Sequence, residues 1–188
     1  MTTQEKTLLN GPLSDYLLTL GVTDVEHTNG KFLPHLKGLA KYLERYNRPF
    51  STIVAGLFHS IYGTENFNGF SISLERRGEV REKIGAEAEA LVYAYCRMSQ
   101  QSFDRSVLEN TPYFLLDREL LTNLPVTPKQ FVELQWMMLL DTLEVDQRVS
   151  REEQWESRIP FWFIVADRLG EDARTALRKV YGIENNIL

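Results

Sequence analysis

Apolar residues recur at three- and four-residue spacing along nearly the whole chain, and no segment alternates at the two-residue period of a strand. A chain patterned this way buries helix stripes against one another, so the predicted fold class is all-α: a helical bundle. With 188 residues, no internal repeat and no low-complexity tract, it is expected to be a single domain over 1–188.

The helix signals fall in order. Pro12 opens a segment over 12–20, with Leu13, Leu17 and Leu20 on one face and Gly21 as the stop. Pro34 opens a second over 34–47, and Asn47-Arg48-Pro49 breaks it. Ser51 or Thr52 is the predicted cap of a third, running from Ile53 through His59 to Gly63. That third segment is apolar all round, which predicts burial and carries His59 inside with it. A loop over 64–73, a charged helix over 74–84 and an apolar one over 86–98 follow. Residues 99–127 are the least regular, punctuated by Pro112 and Pro125, with one short helix expected. Thr127-Pro128 opens a long helix over 128–147, and two more close the chain at about 160–169 and 171–182.

Charge and cysteine content bound the function. A net charge of −5 and a pI near 5.3 argue against a nucleic-acid binder. Cys96 stands alone, so no internal disulfide can form and a reducing cytoplasm is the expected location. The N-terminal MTTQEKTLLNGPLSDY lacks the apolar core of a signal peptide. No apolar run approaches the ~20 residues that span a bilayer, so no membrane association is expected.

The chemistry concentrates in the histidines. The chain has three, His27, His35 and His59, and the last two sit in adjacent helical segments. Imidazole is the commonest neutral metal ligand and the usual base near neutral pH. The long helix adds Asp141 to an otherwise apolar stripe, MMLLDTLEV, where a carboxylate is seldom found unless paired or ligating.

The passage HLKGLAKYLERYNRPFSTIVAGLFHSIYGTE resembles the HD-domain superfamily of metal-dependent phosphohydrolases. Members carry a His early in one helix, a His-Asp pair inside an A-x-L-x-H-D run about two dozen residues later, and a final Asp on a later helix. His35 matches the first His and AGLFHS at 55–60 the second run, with Ser60 where the family has its Asp. The likeness spans roughly residues 25–147 and is nearest to a branch in which His-Ser-x-Tyr-Gly-Thr replaces the His-Asp signature. It implies an HD-like bundle holding a divalent metal (manganese, iron or zinc) and a small-molecule substrate, a phosphorylated metabolite included.

Residues and resemblance together name His35, His59 and Asp141 as metal ligands, a 2-His-1-carboxylate set, with Glu144 and Asp167 as rival carboxylates. His27 is a candidate fourth ligand or base, and Glu65 a candidate general base. Thr64, beside the Gly63 turn, and the Arg77–Arg81 pair at i, i+4 are the candidate substrate-binding residues. Three functions fit: a metal-dependent hydrolase, a non-haem iron oxygenase, or a non-catalytic HD-like fold that binds a ligand or partner.

Overall fold

The computed structural model describes residues 11–27, 30–109, 114–148 and 158–183; the polar N-terminal segment and Pro112 lie outside them. Among the described residues the chain forms nine α-helices and one two-stranded hairpin. The first helix, α1, is Pro12–Thr19, and the hairpin pairs β1 (Glu26–His27) with β2 (Gly30–Lys31). Then come α2 (Phe32–Arg45), α3 (Phe50–Phe58), a 3₁₀ turn at Leu74–Arg76, α4 (Arg77–Ile84) and α5 (Ala86–Arg97). The rest are α6 (Gln100–Glu109), α7 (Pro128–Asp146), α8 (Ile159–Leu169) and α9 (Glu171–Tyr181). None of these helices is long and apolar enough to cross a membrane.

The helix starts follow local chemistry, with two departures from expectation. Thr127 caps α7 as predicted: its hydroxyl accepts from the Gln130 N–H while the Gln130 side chain accepts from the Thr127 N–H. The predicted caps Ser51 and Thr52 are instead inside α3. The Pro49 carbonyl accepts from the N–H groups of Thr52 and Ile53, so the first turn closes on the backbone and no side chain caps it. Helix α2 begins two residues before Pro34, which falls in the first turn, where its missing N–H has no partner to lose. The hairpin was not anticipated, because two-residue strands are too short to show alternation.

Helices α2, α3 and α7 form the centre, α5 packs against both α3 and α7, and the α8–α9 pair packs on α7. Leu36, Leu39, Leu43, Val54, Leu57, Phe58, Met137 and Leu140 fill the space between them and are fully buried. Gly56 is what brings α3 this close to α2, since a Cβ there would collide with the Leu43 side chain. The close crossing puts His35 of α2 and His59, the residue capping α3, on the same patch of core.

A buried ion pair ties the end of α5 to the loop after α6. Arg97 donates to both Asp117 oxygens, at 3.1 and 2.7 Å, and the Asp117 carboxylate also accepts two backbone N–H bonds. Burial works to raise the Asp117 carboxyl, but Arg97 and the backbone donors outweigh it and hold the pKa at about 2. The folded value lies below the unfolded one (~3.9), so this pair stabilises the fold above about pH 4 and its contribution fades as pH falls toward 2. Asp117→Ala should cost about 3 kcal/mol at neutral pH, the low end for a broken buried pair because Glu119 still faces Arg97. Urea melts of the two proteins at pH 7 and pH 3 check both statements, with the gap between them narrower at pH 3.

Candidate metal centre

Three side chains from three elements converge: His35 from the first turns of α2, His59 from the end of α3, and Asp141 from the middle of α7. Their facing atoms form a small triangle. The two Nε2 atoms are 3.0 Å apart, and Asp141 Oδ1 lies 3.2 Å from that of His35 and 3.5 Å from that of His59.

Each of the three is fixed from behind. His59 donates Nδ1–H to the Gly56 carbonyl at 2.7 Å, a helix-end carbonyl that would otherwise lack a partner. His35 Nδ1 lies 2.7 Å from Glu144 Oε2, which only accepts, and 3.0 Å from Arg148 Nη2, which only donates; the shorter contact to the charged acceptor assigns the His35 proton to Nδ1. Arg148, one turn beyond Glu144, donates to the same oxygen. Tyr95, inside α5, donates its O–H to Asp141 Oδ2 at 2.6 Å. Burial, then the Asp141 charge, pushes the Tyr95 phenol far up, so it stays a donor.

With both Nδ1 atoms protonated, each Nε2 presents a lone pair and has no proton to give Asp141 Oδ1. That oxygen is buried without a hydrogen-bond donor. Three lone pairs directed at one another from 3.0–3.5 Å repel unless a cation lies among them. Ligand bonds of ~2.1 Å at angles between octahedral and tetrahedral separate neighbouring donor atoms by about 3.0–3.4 Å. The triangle has those dimensions, so His35, His59 and Asp141 can hold a metal ion.

The triangle opens on a pocket of about 230 Å³. Thr64, Glu65, Asn66 and Phe67 of the loop after α3 form one wall, and Met138, Thr142, Val145 and Asp146 of α7 another. Trp162 of α8 and Arg158 just before it line it from the C-terminal side. His27 stacks on His35, with ring centroids 4.0 Å apart and 12° between planes, and its Nδ1 is buried without a partner. Burial, then the neighbouring His35, pushes the His27 pKa down to about 3, so the ring is neutral at physiological pH.

Of the other anticipated residues, Thr64 and Glu65 line the pocket and the rest do not. Glu65 is exposed at the rim and accepts the Gln100 backbone N–H at 2.6 Å, capping α6. The Thr64 hydroxyl accepts from the Phe67 N–H inside its own turn. Arg77 and Arg81 are not in the pocket wall. They turn to Glu89, which is fully buried on α5 and draws both guanidinium groups and the Tyr62 hydroxyl. Asp167, exposed on α8, pairs with Arg174, and Glu144 backs His35 rather than joining the triangle. Tyr95 was not anticipated, and among the described pocket-lining residues it carries the bond that aims Asp141.

Residues 16–100, somewhat under half the chain, match the model of a family described as a domain of unknown function, DUF6817. That span holds His27, His35, His59 and Tyr95 and stops short of Asp141. No curated protein and no solved structure is significantly similar to the chain.

Proposed function

We propose that the protein is a metal-dependent hydrolase of a small metabolite, with His35, His59 and Asp141 holding a zinc or manganese ion. The observation that carries this reading is the set of three rear hydrogen bonds, which leaves three lone pairs converging where a cation neutralises them. The sequence likeness to HD-domain phosphohydrolases supports the same reading. A divalent ion held there would lower the pKa of a coordinated water and polarise the bond attacked.

The chain's own residues supply the rest. His27 offers a neutral imidazole beside the triangle, with one ring nitrogen available to orient a proton. It suits that role better than Glu65, whose carboxylate is engaged at the start of α6. Trp162 and Phe67 give the pocket apolar walls that limit water. The pocket favours a substrate without a large phosphate cluster. Among its described lining residues the one arginine, Arg158, is already bound through two bonds to Asp104.

A second reading, an iron oxygenase, draws on the same triangle: two imidazoles and one carboxylate on one side of an ion leave positions for O₂ and substrate. Reconstitution with Zn²⁺, Mn²⁺ or Fe²⁺, followed by assays on small esters, amides and phosphomonoesters with O₂ uptake recorded, separates the two. Hydrolysis with zinc or manganese, lost in His59→Ala, is the expected result. Uptake of O₂ with iron alone selects the second reading. Absence of both activities with every metal favours a non-catalytic binding fold.

A further inference from the structure

His35 and Gly38 lie three residues apart on one face of α2, and that face meets Glu144 of α7. A glycine inside a helix is less favourable than alanine, so its presence there calls for a local reason. A Cβ at position 38 would lie 2.5 Å from Glu144 Oε1, 2.9 Å from Cδ and 3.0 Å from Cγ. Contact with Cγ as well as the carboxylate means that rotating the tip alone cannot relieve it. The end of the Glu144 side chain would have to shift, and with it the oxygen that accepts from His35 Nδ1.

We infer that Gly38 is a positioning residue of the centre: by lacking a side chain it lets Glu144 reach His35, which fixes the His35 ring and leaves its Nε2 bare. The chain of influence runs from Gly38 to Glu144 to His35, with Arg148 Nη2 donating to the same Glu144 oxygen and lying 3.0 Å from His35 Nδ1. Partners of this kind, one bond behind a ligating imidazole, typically change metal affinity by about 10–100-fold when lost. The affinity part of the inference rests on the proposed metal binding; the part about the His35 proton does not.

The test compares Gly38→Ala, Glu144→Ala and the double variant with the parent. In the metal-free proteins, ¹⁵N imidazole spectra report which His35 nitrogen carries hydrogen, and thermal melts report the fold. Zn²⁺ titration then gives affinity. Metal-free Gly38→Ala should melt below the parent, because the helix gain is smaller than the cost of displacing Glu144 from its buried bond. Its His35 should change from the Nδ1–H form alone to a mixture of tautomers, and Zn²⁺ affinity should fall about 10–100-fold. In the Glu144→Ala background Gly38→Ala should cost nothing further, as expected when one residue acts through the other.

Unchanged His35 spectra in Gly38→Ala, or an equal affinity loss with Glu144 already removed, would overturn the inference. A parent that binds no Zn²⁺ would defeat the metal reading while leaving the tautomer comparison to decide on Gly38. Failure of Gly38→Ala to fold, with the double variant folding, would still locate the conflict at Glu144.

Discussion

Asp141→Asn is expected to abolish divalent-cation binding while leaving the metal-free protein at least as stable as the parent. The side-chain amide fits the existing bonds: its oxygen keeps the Tyr95 hydroxyl, and its NH₂ takes the place of Oδ1. There it can donate to the two bare Nε2 atoms, which in the metal-free parent face a carboxylate oxygen with no proton between them. One substitution thus removes the ligand charge and satisfies the lone pairs. In the parent, saturating metal at a thousand times its Kd stabilises the fold by about 4.1 kcal/mol. For a chain of this size that raises the melting temperature by roughly 8–16 °C. Metal should not shift the Asn variant. If its metal-free form melts well below the metal-free parent, the three lone pairs do not converge as described.

Ser60→Asp gives the second large effect, with opposite signs in the two states. Ser60 is buried beside His59 and lines the pocket, at the position that the HD resemblance aligns with a carboxylate. A second carboxylate there joins Asp141 in the pocket lining and has no cation of the protein to pair with among the described lining residues, since Arg158 is held by Asp104. Burying such a charge costs several kcal/mol. The metal-free variant should therefore melt roughly 6–12 °C below the parent, taking about 3 kcal/mol for the penalty. With Mn²⁺, Zn²⁺ or Fe²⁺ present the added carboxylate becomes a fourth ligand. The metal-induced rise in melting temperature should then exceed the parent's. A variant that melts like the parent with and without metal would show that position 60 faces neither the core nor the ion.

Much of this centre was legible in the sequence. His35, His59 and Asp141 stood out because a polar group in an apolar helix stripe needs a partner, and the pattern places all three on inward faces. The helices were legible for the same reason, and the capping box at Thr127 is wholly local. What was hidden depends on contacts between distant segments. Glu144 lies 109 residues from His35, and only their packing shows that it backs the imidazole instead of binding the ion. Tyr95 looked like one more aromatic of an apolar helix, because its bond to Asp141 spans 46 residues. The i, i+4 spacing of Arg77 and Arg81 reveals a shared face but not what that face meets. The buried Glu89 one helix later decides it. Gly38 carried one visible sign, a glycine inside an otherwise regular helix.

The central claim is that His35, His59 and Asp141 form a cation site. X-ray absorption on the Zn²⁺-reconstituted protein tests it most directly. The expected result is one equivalent of zinc with two imidazole nitrogens and at least one oxygen at about 2.0–2.2 Å, and loss of the bound zinc in His59→Ala. Protein that retains no zinc, or zinc whose shell lacks imidazole, would contradict it.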